Sequence, residues 1–231
     1  MSLTFSHNNH IYKAMKYHCE MQTLGQFLQR FAVYILNYGH YFYVADVIPP
    51  GRTLSQTDRK ICEQYGITHC RQTRKNRRDR GEASVHYVRF KNAFVIIASE
   101  GKSDFFIQEQ WTDIRQEPLY ISGYSLGIRD EKSCVRIQGK RWIPLEKKFI
   151  GMTYFEIRNL QRYYDLITPF RYSWIIEQME RLRTKINHKR KRASLPLLQS
   201  WDWWRGKTAQ EAFEKKQRHS TESMFDDSHL S

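Results

Sequence analysis

Two carboxylates and a lysine in this chain have the pattern of a metal-dependent phosphodiesterase. Asp46 lies in a run of β-branched and aromatic residues from His40 to Ile48, and Glu100-Gly101-Lys102 follows directly on the apolar run Ala93 to Ser99. An acid on one strand and Glu-x-Lys at the end of another can hold Mg²⁺ against a scissile phosphate while the lysine positions water. Glu-Gly-Lys-Ser-Asp also has the composition of an ordinary hairpin turn, so a nuclease is the alternative reading. A rolling-circle initiator would need a His-x-His pair beside a helical tyrosine. Tyr163-Tyr164 could supply the tyrosine, but no His-x-His exists, and both tyrosines read as packing residues. Cys19, Cys62, Cys70 and Cys134 form no CxxC clip, and reduced thiols are expected in spite of the His18-Cys19 and His69-Cys70 pairs. No metal and no cofactor are expected, with Mg²⁺ entering only in a nuclease.

The stronger chemistry is phosphate binding. Arg71, Arg74, Lys75, Arg77, Arg78 and Arg80 form one basic cluster; Lys185, Lys189, Arg190, Lys191 and Arg192, with His188 among them, form a second. Five of the six cations in the first cluster are arginine, whose planar fork pairs with phosphate in two places. At the end of a helix the macrodipole accounts for one or two cations but not for the density of the second cluster. The net charge of +14 fits a partner that is a polyanion, DNA or RNA. Tyr41, Phe42, Tyr43, Tyr87, Phe90 and Phe94 interleave with charge and suggest base stacking. Strand alternation turns half of them inward, however, and no RNP signature is present.

These residues must be positioned by a folded core, which 40% apolar and 14% aromatic residues can supply. Leu24, Phe27, Leu28, Phe31, Ala32 and Ile35 have helical spacing, which predicts a helix over 23–36 stopped by Gly39. His40 to Ile48 reads as a strand closed by Pro49-Pro50-Gly51. Ser55 is expected to cap a helix through Tyr65, with Asp58 in a capping box and a strand beginning at Ile67. The first basic cluster reads as an exposed loop or β-ribbon tip. Val85 to Phe90 and Ala93 to Ser99 predict a hairpin around Lys91-Asn92, its second strand central in the sheet. Further strands are expected at 113–117, 119–129 and 134–138. Helices follow at 150–164 and 172–191, the latter with Ile175, Ile176, Met179, Leu182 and Ile186 on one face. A weaker helix is expected over 10–18.

The hairpin from Val88 to Ile97, followed by Ile121-Ser122-Gly123-Tyr124-Ser125, resembles the palm of reverse transcriptases. Lys91 and Asn92 stand where that family carries its metal-binding aspartates, so the resemblance implies at most a palm-like sheet. The layout from His40 to about Leu198 is similar to a family of uncharacterised bacterial proteins. The strand-Pro-Pro-Gly opening, the arginine-rich segment before Val85, Val88 to Gly101, Ser122 to Ser125 and the long helix with Asn187 through Pro196 carry this likeness. It implies no activity.

The sequence therefore predicts an α+β fold: a mainly antiparallel sheet from His40 to Gln138, a helix after the first strand, and flanking N- and C-terminal helices. Four regions are expected: 1–38 helical, 39–150 the α+β core, 151–195 the C-terminal helices, and 196–231 a mobile tail with Trp201, Trp203 and Trp204. With no apolar signal core and no run of the ~18 apolar residues a membrane span needs, a soluble cytoplasmic protein without a membrane partner is expected. The first functional expectation is a nucleic-acid-binding protein, of a plasmid or other mobile element, whose basic clusters act as opposite jaws on a phosphate backbone. A nuclease built on Asp46, Glu100 and Lys102 is the alternative, and an adaptor using the tryptophan-rich tail is the third.

Overall fold

The computed structural model describes residues 17–67 and 71–200. In chain order the elements are β1 (Glu20–Met21), α1 (Leu24–Tyr34), a 3-10 turn (Leu36–Tyr38), β2 (His40–Val47), α2 (Leu54–Gln64) and α3 (Arg71–Asp79). There follow β3 (Val85–Phe90), β4 (Ala93–Ser99), α4 (Phe105–Gln108), β5 (Thr112–Asp113), β6 (Leu119–Ile121), β7 (Tyr124–Arg129) and β8 (Lys132–Ile137). Three helices close the described chain: α5 (Gly139–Gly151), α6 (Ile157–Asp165) and α7 (Ser173–Arg192). Among the described residues no helix is long and apolar enough to cross a membrane.

The fold is α+β, and it divides into two compact units that interleave in sequence. The first takes the chain up to Met21 and then His40–Trp111; the second takes Gln22–Gly39 and the chain from Thr112 onward. The expected single sheet over 40–138 is thus two sheets, one of five strands in the order β1-β3-β4-β2-β5 and one of three in the order β6-β7-β8. Val88 to Ile97 lies in the first sheet and Ile121 to Ser125 in the second, so the palm-like arrangement does not form.

In the first unit β4 lies between β3 and β2, antiparallel to both, and β1 adds a short parallel edge to β3. The β3–β4 hairpin turns at Lys91-Asn92 as expected, with Lys91 in the left-handed region at φ 57°. Ile61 and Cys62 from α2, with Tyr65 at its C-cap, bury against Tyr87, Ile96, Ala98 and Phe105. Thr53, not Ser55, stands at the N-cap of α2, without a side-chain cap. Asp58, the acid expected in a capping box, instead takes a bidentate ion pair from Arg89 and the Tyr87 hydroxyl. The strand expected from Ile67 does not begin there: Ile67 is buried in a turn.

In the second unit β6, β7 and β8 form an antiparallel meander with two-residue turns at Ser122-Gly123 and Asp130-Glu131, all four residues at positive φ. Thr23 and Gln26 close a reciprocal capping box at the start of α1, which buries Phe27, Leu28 and Phe31. The α7 residue Gln178 binds the edge of β8 like an added strand, accepting from Ile137 N and donating to Ile137 O. The helix expected over 150–164 is broken: α5 ends at Gly151, and α6 restarts where Glu156 accepts from the Arg158 and Asn159 N–H groups. The strand expected over 113–117 stops after Asp113, whose carbonyl and carboxylate take the N–H groups of residues 115–117 into a turn. Of the helix expected over 10–18, only Tyr17 and His18 are described and neither is helical; the Trp201 to Trp204 segment lies outside the described residues.

Candidate nucleic-acid interface

The first basic cluster is a helix, not a loop or ribbon. Arginine and lysine are good helix formers, and no glycine or proline interrupts the run before Gly81. Positions 71, 74, 75 and 78 recur at i, i+3, i+4 and i+7, so the helical period gathers them on one face. Lys75 and Arg78 are exposed, while Thr73 and Arg77 on the other side are half-buried. Arg77 Nε lies 2.6 Å from Glu82 Oε2, and Arg80 Nε lies 3.1 Å from Glu82 Oε1, so two of the expected cations share one internal acid. The hydrogen bond from Arg77, aided by Arg80, holds the Glu82 carboxyl below the usual range. This clamp therefore stays charged as the pH falls through the ordinary carboxylate range and is lost only below it.

The second cluster repeats the spacing on α7. Lys185, His188, Lys189 and Arg192 stand at i, i+3, i+4 and i+7, all exposed, away from the buried face of Ile175, Met179, Leu182 and Ile186. Lys191 is exposed as well. Lys185 Nζ lies 2.6 Å from Glu146 Oε1, which offsets its charge. Arg190 departs from expectation. Its residue is 1% exposed, and its guanidinium donates to the carbonyls of Thr153, Phe155 and Pro196. It lies four residues beyond Ile186 on the apolar face, so it holds the fold together and is not available to phosphate.

No family model, curated protein or solved structure matches the chain.

The nuclease constellation does not assemble. Antiparallel pairing sets Asp46 opposite Phe94 at one end of β4, whereas Glu100 follows Ser99 at the other end. Six residues of strand separate those ends by ~20 Å, while carboxylates sharing one Mg²⁺ must each reach within about 2.1 Å of it. Asp46 is exposed and its carboxylate accepts from the Val47 N–H. Lys102 serves the backbone: it bridges Glu82, its N–H bonding to Gly81 O and its carbonyl accepting from Ala83. Gly101 makes this approach possible at φ +133°, where a Cβ would stand 2.6 Å from Ala83 N. Gly101→Ala is accordingly expected to cost about 1–3 kcal/mol, read as a lower thermal midpoint. Tyr164 is buried and donates to Met179 O, as a packing residue does, whereas Tyr163 is 53% exposed and departs from that expectation. Among the described residues no group of three or more His, Cys, Asp or Glu is placed to hold a metal. The Cys19 and Cys62 thiols are both buried and hydrogen-bonded to each other, the bond pushing Cys19 up and Cys62 down.

The spacing of the clusters was available in the sequence, but a cleft beside α3 was not. It has a volume of about 910 Å³ and runs from Tyr65 and Arg77 to Lys102, Ser103, Phe106 and Ile107. Phe106 also belongs to a three-ring cluster: Trp111 meets Phe42 at 5.0 Å and Phe106 at 5.8 Å, both edge to face. Only Phe42 of this trio figured among the expected stacking rings, because Phe106 and Trp111 sit in a short helix and a loop outside the strands.

Proposed function

We propose that this protein binds nucleic acid by its phosphate backbone, through the cationic faces of α3 and α7. The supporting observation is the repeated i, i+3, i+4, i+7 arrangement, at 71, 74, 75 and 78 and again at 185, 188, 189 and 192. Such a face lays several cations along one line, which suits a chain of phosphates and carries no base-reading geometry of its own. Lys75, Arg78, His188, Lys189, Lys191 and Arg192 are among the exposed members. Arg71 and Arg74 belong to the same reading by position, while Arg77, Arg80 and Lys185 contribute less because carboxylates already face them.

The test is affinity as a function of salt, measured on duplex and single-stranded probes of several sequences. Log affinity should fall linearly with log salt, by about 0.9 per phosphate neutralised on duplex DNA. The double variants Lys75→Glu/Arg78→Glu and Lys189→Glu/Arg192→Glu should each weaken binding on every sequence and flatten the slope by about two phosphates. A flat salt response in the unaltered protein, or variants that bind as it does, would sink the proposal.

A further inference from the structure

We infer that the cleft beside α3 receives an unpaired nucleobase, that the stacking surface is Phe106 of its wall together with Trp111, which packs against Phe106, and that the nucleic acid bound there is single-stranded. This rests on the reading of the protein as a nucleic-acid binder and assigns that ligand a form.

The charges of the cleft argue for a base over a phosphate. Arg77 and Lys102 line it, but so do Glu63, Glu82 and Asp104. A phosphate entering this balanced wall would meet acceptors as often as donors. A base is flat and nearly neutral, and its edge carries amino and imino donors for carboxylates and carbonyl acceptors for cations. The volume of about 910 Å³ lies within the range of sites that take small planar ligands. The phosphates attached to such a base have the exposed Lys75 and Arg78 in the same unit, on the helix that contributes Arg77 to the cleft.

The aromatic rim argues for stacking. Trp111, in contact with Phe106 of the cleft wall, is 42% exposed, an unusual state for the largest side chain, and Ile107 in the cleft lining is 84% exposed. Phe42 and Phe106 also meet each other edge to face at 5.3 Å, so the Trp111 ring is braced by two neighbours that are themselves in contact. A braced, partly exposed indole loses little entropy on stacking and accepts every base, because each has a π-face. A base inside a duplex is paired and already stacked on both sides, so it cannot use this surface.

The experiment titrates the full chain into labelled oligonucleotides: a thymidine single strand, a uridine single strand, a DNA duplex of equal length and an abasic DNA single strand. Both base-bearing single strands should bind at least ten-fold more tightly than the duplex, and the uridine and thymidine arms tell RNA from DNA. Trp111→Ala should weaken their binding by about five- to hundred-fold, leave the duplex and abasic probes unchanged, and be largely rescued by Trp111→Phe. Should Trp111→Ala fail to fold by circular dichroism, Trp111→Leu keeps an apolar side chain against Phe42 and Phe106 without the π-face and should produce the same selective loss. Equal binding of duplex and single strand, or rim variants that weaken all probes alike or none, overturns the inference. If the duplex and abasic probes still bind with a steep salt slope in that case, the backbone-binding reading stands; if no probe binds, that reading falls first.

Discussion

Arg89→Met should lower the unfolding free energy by about 3–5 kcal/mol, the cost of leaving one partner of a buried ion pair uncompensated. The Arg89 side chain is 3% exposed in the middle of the first unit, and its fork meets Asp58 on α2 at 2.8 and 2.9 Å. A further donation to Lys91 O fixes the guanidinium at the β3–β4 turn, while Tyr87 O–H donates to Asp58 Oδ1 at 2.6 Å. Burial first, and then the bond to Asp58, push the Tyr87 phenol well up, so it stays a neutral donor at any pH the fold survives. Glu20 contributes little, being 3.4 Å away and half exposed. Removing Arg89 leaves the Asp58 carboxylate with Tyr87 as its remaining donor in this network. Urea denaturation should show a lower midpoint at unchanged slope. The double variant Arg89→Met/Asp58→Leu should recover at least half of the loss, because no buried charge is then stranded. A double variant as unstable as the sum of the two single ones would assign the effect to packing.

Arg190→Met should cost about 2–4 kcal/mol while leaving nucleic-acid affinity, per folded molecule, where it was. Three carbonyls, those of Thr153, Phe155 and Pro196, would lose a charged donor in a place water reaches poorly. Arg190→Lys should rescue little, since one ammonium cannot span three carbonyls that the guanidinium fork reaches together. Lys189→Glu/Arg192→Glu should behave in the opposite manner, altering binding and the salt slope with hardly any shift in denaturation midpoint. Should Arg190→Met flatten the salt slope as those substitutions do, its assignment to the interior would be wrong.

Arg190 also illustrates what was legible before the structure. By residue type it is one of five cations in a run, but by position it continues the apolar face of Ile175, Met179, Leu182 and Ile186, and that periodicity marked it for burial. The same logic applied to α3 would have read positions 71, 74, 75 and 78 as a helical face. Charge density suggested a loop, yet an exposed helix tolerates repulsion that a buried strand does not. Local signals were read well: the α1 boundary at Thr23, the β4 run at the centre of its sheet, the Lys91-Asn92 turn and the length of α7 all follow from caps, alternation and spacing. Pairing was not local. Nothing in the residues around Asp46 and Glu100 states that antiparallel register carries them to opposite ends of β4, and nothing between Ala93 and Leu119 states that a second sheet begins.

The interleaving of the two units bears on how the chain is made. When α1 leaves the ribosome, its apolar face of Phe27, Leu28 and Phe31 has no partner, because β8, against which α1 packs, is synthesised about 100 residues later. The first unit can complete its sheet in the meantime, since β2, β3 and β4 follow one another closely. Synthesis thus passes through an interval in which a folded sheet coexists with an unsheltered amphipathic helix that was made before it. That interval is when the nascent protein has most need of a chaperone, and when slowed translation downstream of Ser99 would raise its tendency to aggregate.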